Sequence, residues 1–172
     1  DAESAKNTLA DLEWKREYKT HAERFDEPYL HQLSGTAVPL VLHQTPFDAE
    51  GFASTIWDSS IVLARYLERH AARNSGVGRR CIELGAGCGL PGLVLHALGA
   101  DVTLTDLSGN LPLLEKNVRA NSQASVEDRA KAGGASVVEL TWREGPLPSH
   151  ITGAGPFDLI IATDVLYSHE AV

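Results

Sequence analysis

The 172-residue sequence contains no methionine, only two cysteines, and few aromatic residues, which make up 6%. Cys81 and Cys88 are not spaced as a CxxC pair, so a disulfide or cysteine metal site is not expected, and a reducing compartment fits better. We therefore expect a cytoplasmic, or additionally nuclear, location. No apolar run approaches the roughly 20 residues that cross a bilayer, and the polar amino terminus does not resemble a signal peptide. The seven histidines show no ligand spacing, so no metal ion is assigned.

Basic residues are in the minority, with 15 Lys and Arg against 23 Asp and Glu and a net charge of -8. A nucleic-acid-binding surface needs clustered Lys and Arg, so a nucleic-acid partner is disfavoured. Hydrophobic residues make up 43% and charged residues 22%, which is typical of a globular domain large enough to bury a core. The missing methionine leads us to expect that the chain is not a complete natural protein.

One glycine-rich stretch organises the sequence, and it runs CIELGAGCGLPG over residues 81–92. A short apolar strand is followed by three glycines at alternate positions, which permit a sharp turn with no side chain against a ligand. Pro91 suits the first turn of the helix that follows. A strand, a close-approach turn and a helix N-terminus in this order are typical of a site for a small-molecule cofactor.

Segments with strand patterns alternate with segments of helical periodicity after residue 51. The predicted strands cover 81–84, 100–106, 136–140 and 157–164, and the predicted helices cover 59–74, 91–98 and 110–120. This alternation predicts an α/β fold with a parallel sheet. Residues 1–50 are predicted to form a helical arm and a β-hairpin that precede this core of residues 51–172.

Two cofactor classes fit the glycine turn. Residues 87–92 match the GxGxxG pattern of dinucleotide sites, and Asp106 lies nineteen residues beyond Gly87. A second register starts at Gly85 and places the turn where the strand ends. Glu83 beside the turn would repel a pyrophosphate but would favour the ammonium and sulfonium of S-adenosylmethionine. Asp106 would accept the ribose hydroxyls, so the flanking acids favour S-adenosylmethionine.

The run ELGAGCGLPG at 83–92 resembles motif I of the seven-strand (class I) methyltransferases. More narrowly, the chain resembles the methyltransferase-like 21 group of protein-lysine methyltransferases from about residue 30 to its end. Four further segments match that group in order and spacing, at 56–58 (IWD), 102–106 (VTLTD), 140–142 (LTW) and 157–167 (FDLIIATDVLY). The resemblance implies a Rossmann-like sheet whose first four strands have the order 3-2-1-4. It also implies S-adenosylmethionine-dependent methylation of lysine on a protein substrate, with S-adenosylhomocysteine as product.

The resemblance further implies site residues at the ends of the strands. Asp164 and Tyr167 match the family's DxxY motif and are assigned to the catalytic site, with Asp164 orienting the lysine ammonium and Tyr167 lining its channel. The resemblance implies cofactor binding by Trp57, Gly85, Ala86, Gly87, Asp106, Trp142 and Thr163, and we add Glu83 and Leu107 to the predicted cofactor-binding residues. Trp57 and Trp142 also have an alternative interpretation as buried core aromatics.

Two other functions stay open at this point. The same fold can methylate a small molecule or a nucleic acid, or it can serve as a non-catalytic binding module. A complete class I fold contains further strands, so we expect the core to be truncated at its C-terminus. The fourth strand would then be an exposed apolar edge through which copies of the chain self-associate.

Overall fold

The computed structural model describes residues 19–46, 51–74, 78–122, 133–153 and 155–166. The predicted helical arm falls mainly on residues 1–18, which lie outside this part. Its last segment contains helix α1 (His21–Phe25), which begins with a capping box in which Thr20 and Glu23 exchange hydrogen bonds. In the part of the chain that the structure describes, no helix is long and apolar enough to cross a membrane.

A small antiparallel sheet precedes the main one, as predicted for the hairpin. It consists of strands β1 (Tyr29–His31) and β2 (Leu40–Leu42). Leu33, Leu40 and Leu42 are buried in the same hydrophobic cluster as the residues of the main sheet. The hairpin is therefore packed onto the core.

The main sheet is parallel and four-stranded. Its strands are β3 (Arg80–Leu84), β4 (Asp101–Asp106), β5 (Ala135–Glu139) and β6 (Leu159–Ala162). Their order is β5-β4-β3-β6, which reads 3-2-1-4 when these four strands are counted along the chain. The apolar runs form strands here because parallel strands are covered on both faces. The predicted α/β class with a parallel sheet is confirmed.

Helices connect the strands and cover the sheet. They are α2 (Asp58–Asn74), α3 (Leu90–Ala97), α4 (Leu111–Asn121) and α5 (Ser149–Thr152), with 3₁₀ turns at Phe52–Ser54 and Ser108–Asn110. Pro91 lies in the first turn of α3, as predicted. Helix α5 is not predicted, because its four residues are too few to show an apolar period in a glycine- and proline-rich segment.

Hydrophobic residues pack on both faces of the sheet, because neighbouring residues of a strand point to opposite faces. Helices α2, α3 and α4 and the hairpin pack on the face that carries Cys81. On the other face, Ile82 packs with Leu140 and with Ile151 of α5. This second face is less covered, and Ile160 of β6 is 63% exposed.

Candidate functional site

The carboxyl ends of the four parallel strands lie along one edge of the sheet. Strand β3 leads into the loop of residues 85–89, β4 ends at Asp106, Trp142 follows β5, and Thr163 and Asp164 follow β6. Strands β4 and β5 lie successively on one side of β3, and β6 lies on the other side of β3. Ligands of open α/β sheets bind outside the carboxyl ends at such a reversal of strand order. This edge is therefore the candidate site.

The glycine loop brings predicted site residues together. Gly85 and Gly87 have positive φ angles of 61° and 53°, which residues with a side chain rarely adopt. A Cβ on Gly85 would lie 2.8 Å from Val165 Cγ1 and 3.6 Å from Trp142 Cζ2, so a side chain here would displace Val165. The Ala86 amide donates to a backbone carbonyl of β4 at 2.9 Å. The loop is thus fixed to β4 and lies against the segments that follow β5 and β6.

The Asp106 carboxylate holds the loop from the end of β4. Its Oδ2 accepts a hydrogen bond from the Gly87 amide at 2.7 Å, and its Oδ1 accepts from the Leu107 amide at 2.8 Å and from Asn110 Nδ2 at 2.6 Å. An ionised carboxylate has about four acceptor sites. The three bonds leave about one acceptor site, on a residue that is 7% exposed. Leu107, beside it, is 49% exposed.

Glu83 is placed differently from the other predicted cofactor residues. Its side chain is 1% exposed, and its Oε2 accepts a hydrogen bond from the Gly92 amide in the first turn of α3 at 2.9 Å. Burial, with a smaller contribution from Asp106, raises the pKa of Glu83 to about 8. The prediction of a charged Glu83 carboxylate facing the ligand therefore needs correction, because the side chain is buried, supports the helix start through the Gly92 amide, and lies where burial favours its neutral form.

The segment before α2 forms another wall of the site. Trp57 Nε1 donates to the Phe52 carbonyl at 3.0 Å, and a Cβ on Gly87 would lie 3.1 Å from the Ala53 carbonyl oxygen. Trp57 is 38% exposed and Trp142 is 42% exposed. The interpretation of these two residues as buried core aromatics is therefore wrong. Each keeps ring surface that a ligand can cover.

The exit of β6 is tied to the first turn of α2. Ser59 Oγ lies 2.5 Å from Thr163 Oγ1 and donates a hydrogen bond to Asp164 Oδ2. Asp164 is exposed and has a φ of 54°, a left-handed conformation that Asp tolerates better than most residues. Tyr167, the other predicted catalytic residue, lies outside the described residues.

Helix α4 holds the glycine loop and the hairpin through two buried asparagines. Asn117 donates to the Cys88 carbonyl at 3.0 Å and to the His43 carbonyl at 3.1 Å, and its Oδ1 accepts from the His43 amide at 2.7 Å. One turn later, Asn121 accepts from the Val41 amide and donates to the Val41 carbonyl, both at 2.8 Å. The two side chains therefore pair with the hairpin backbone as a neighbouring strand would.

Sequence reasoning missed three of these residues: Ser59, Asn110 and Asn117. Asn117 carries a usable signal, since it is polar and lies on the apolar face that Leu114 and Val118 mark in the predicted helix. Ser59 and Asn110 carry no such signal, because a polar residue at a helix start is expected as a cap in any case.

Comparison with known families decides what kind of protein this is. The sequence profile of the family described as lysine methyltransferase matches residues 38–172, which include the whole glycine loop and the four strands. The chain belongs to the lysine methyltransferase family. The resemblance seen in the sequence is thereby confirmed.

Curated relatives of this lysine methyltransferase family member carry matching names. The protein N-lysine methyltransferase METTL21A of Mus musculus is 42% identical over 120 residues, and its counterpart in Danio rerio is 40% identical over 120 residues. Each alignment covers 70% of this chain and 50% of the relative. The chain thus spans about half the length of the curated relatives it matches.

A solved structure matches the family member's fold. The T. thermophilus 16S rRNA N2 G1207 methyltransferase (RsmC), solved in complex with AdoMet and guanosine, superposes with a TM-score of 0.53 at 23% identity. The match covers 80% of this chain and 32% of that chain. It shows a shared Rossmann-like methyltransferase fold.

Proposed function

We propose that this lysine methyltransferase family member transfers a methyl group from S-adenosylmethionine to lysine side chains of a protein substrate. One observation carries the proposal. Val165 lies against Gly85 of the glycine loop, and Asp164, the residue before it, presents an exposed carboxylate at the same edge of the sheet. The loop expected to hold the cofactor and the acid expected to hold the amine are therefore neighbours.

The residues at this edge fit S-adenosylmethionine. The loop of residues 85–87 offers backbone with only the small Ala86 side chain, and Asp106 keeps one acceptor site for a ribose hydroxyl. The exposed rings of Trp57 and Trp142 border the space above the loop, and Thr163 at the strand exit would contact the cofactor through its backbone. When bound, S-adenosylmethionine supplies a methyl group that its sulfonium has already activated.

The chain's own residues then position the lysine. The Asp164 carboxylate attracts and orients the ammonium, since opposite charges attract more strongly in a partly desolvated site than in bulk water. A lysine with an ordinary pKa of about 10.4 is protonated at neutral pH. Desolvation and the positive charge of a bound sulfonium would lower that pKa, which the Asp164 carboxylate by itself would raise. Proton loss to solvent then leaves an amine for in-line attack, so the proposal needs no dedicated base. Tyr167 retains its predicted role of lining the channel.

The decisive test uses a tritium-labelled methyl donor with a protein lysate. We expect label in protein and, after acid hydrolysis, in methylated lysine. Asp164→Ala should abolish this label while S-adenosylhomocysteine still binds in calorimetry. Glu27→Ala, which removes an exposed acid far along the chain from the site, is the matched control and should keep wild-type activity.

The same experiment separates the competing functions. Label in nucleic acid or in small molecules would replace the proposal with a methyltransferase for those acceptors. Cofactor binding without any transfer would instead indicate a binding module. Full lysine methylation by Asp164→Ala would remove that residue from the mechanism and leave the rest of the proposal standing.

Partner and location are part of the same proposal. A protein that presents an accessible lysine is the partner. The sequence has only two cysteines and no CxxC pair, and Cys81 and Cys88 are both buried, which supports a reducing compartment and hence a cytoplasmic or also nuclear location.

A further inference from the structure

We propose that Ser59 is a positioning residue that fixes the Asp164 carboxylate and couples it to Thr163. The juxtaposition that carries this inference is a row of three oxygen groups, in which the Ser59 hydroxyl lies between the Thr163 hydroxyl and the Asp164 carboxylate. The inference rests on the proposed function, since it deepens the role given there to Asp164.

The protons of the row determine its direction. A serine hydroxyl has one proton to donate, and an ionised carboxylate can only accept. Because the Ser59 proton goes to Asp164 Oδ2, the bond with Thr163 must be donated by Thr163 Oγ1 and accepted by Ser59 Oγ, across 2.5 Å. A chain of hydrogen bonds with one direction is mutually strengthening, because each donor polarises the next.

The bond from Ser59 occupies one oxygen of the Asp164 carboxylate and leaves the other for a substrate. Among the residues that the structure describes, Ser59 is the hydrogen-bond partner of the Asp164 side chain, and it occupies Oδ2. Oδ1 is then the oxygen that accepts from a lysine ammonium. Asp164 is exposed, so without Ser59 its carboxylate could also occupy other staggered χ1 rotamers.

The position of Ser59 also couples the acid to the cofactor wall. Ser59 lies in the first turn of the 17-residue helix α2, and the Trp57 carbonyl accepts from the Ser60 and Ile61 amides at 3.1 and 3.3 Å. Trp57 and Ser59 are therefore fixed by one helix start. A site built on a helix end holds its groups more precisely than a loop does.

The first experiment tests the bond itself. Unfolding free energies are measured for Ser59→Ala, Asp164→Ala and the double variant. The strain of alanine at a φ of 54° occurs both with and without Ser59, so it cancels in the cycle. We expect a non-additive result, in which the second substitution costs less than the first. Additive effects would overturn the proposal.

The second experiment tests the role in catalysis, with tritium-labelled donor and lysate protein as acceptor. Ser59→Ala should lower kcat/KM about ten- to hundredfold, the effect of losing a hydrogen bond to a charged group, with unchanged affinity for S-adenosylhomocysteine. Ser59→Thr keeps a hydroxyl and should restore most of the activity. Ser136→Ala is the matched control, since it removes another serine hydroxyl that bonds a threonine, at 3.4 Å in β5.

The outcomes separate this proposal from the proposed function. Wild-type activity in Ser59→Ala, with an active wild type, overturns the role of Ser59 and leaves lysine methylation standing. An equal loss in Ser59→Ala and Ser59→Thr also overturns it, because the hydroxyl would then not be the group that acts. A wild type that transfers no methyl group to lysine overturns the proposed function, and the role of Ser59 with it.

Discussion

The Asp106 carboxylate accepts a hydrogen bond from the Gly87 amide at 2.7 Å, and this bond joins the ends of β4 and β3. The group expected to bind the ribose is thus also the group that shapes the glycine loop. Gly87 has a φ of 53°, which residues with a side chain rarely adopt, so the chain turns directly after the amide that the carboxylate holds. Loop geometry and cofactor affinity should therefore change together when Asp106 is altered.

Asp106→Ala should weaken cofactor binding at least about tenfold, since it removes charge-assisted hydrogen bonds as well as the ribose acceptor. Calorimetry with S-adenosylhomocysteine measures this directly. Glu115→Ala is the control, because it removes a carboxylate on α4 that bonds only the exposed Arg119 in the described structure. Wild-type affinity in Asp106→Ala would show that the ribose is held elsewhere.

The parallel sheet, and the placement of several site residues at the ends of its strands, could be predicted from the sequence. A parallel strand is covered on both faces, so its consecutive residues are apolar, and this produces recognisable apolar runs such as 157–164. Asp106, Trp142 and Asp164 could be placed together because each lies at or just after the end of a strand, and parallel strands end at one edge. The end of a strand is visible in the local sequence pattern, so these three positions could be predicted from the sequence.

Tertiary contacts explain what could not be predicted. Glu83 looks like an exposed acid beside a turn, but the approach of α3 buries it under Gly92 and changes its protonation. The Ser59–Asp164 bond joins residues 105 positions apart, and no local pattern encodes such a contact. Asn117 shows its burial in the helical period, yet its partners in the hairpin and the loop depend on the packing of α4.

Asn117→Ala should destabilise the protein by about 2–4 kcal/mol, because buried polar groups at His43 and Cys88 would lose their partner. Urea denaturation at pH 7 measures the change. The control is Ser122→Ala at the exposed end of α4, which should change stability by under about 0.5 kcal/mol, as for most surface substitutions. A loss for Asn117→Ala no larger than the control's would mean that water replaces the lost bonds.

His31 should set the acid limit of stability. It is fully buried, its Nε2 lies 3.9 Å from Glu68 Oε2, and burial, reinforced by Arg65, lowers the pKa of His31 to about 4. Between pH 6.5 and 4 the unfolded chain binds a proton on this residue that the folded chain does not, so the contribution of His31 to stability falls as pH falls through that range. His31→Phe should flatten this acid limb of the curve of unfolding free energy against pH, which urea denaturation measures.

The acid limb has other contributors that serve as comparison. Burial also lowers the pKa values of His43 and His96, so they act in the same direction. His21→Gln, which removes an exposed histidine, is the control variant. If His31→Phe and His21→Gln gave the same limb as the wild type, the acid sensitivity would belong to His43 and His96.

Glu83 should set the alkaline limit with the opposite sign. Its pKa is raised from 4.5 to about 8 by burial, so the folded chain holds a proton that the unfolded chain releases between these values. The contribution of Glu83 to stability therefore falls as pH rises from 4.5 to 8. Glu83→Gln keeps an acceptor for the Gly92 amide without the ionisation. The variant should match the wild type near pH 4.5 and become more stable than it by pH 8.

Glu68→Gln provides the matched comparison, because it also alters a buried glutamate. Although burial opposes it, hydrogen bonds from Ser34 and Arg65 lower the pKa of Glu68, so this carboxylate is ionised and its replacement should destabilise the protein at pH 7. Urea denaturation across pH 4.5–9 measures both variants. A Glu83→Gln variant that follows the wild type throughout would mean that Glu83 stays ionised beneath the loop. Its negative charge would then again disfavour a pyrophosphate at the glycine turn.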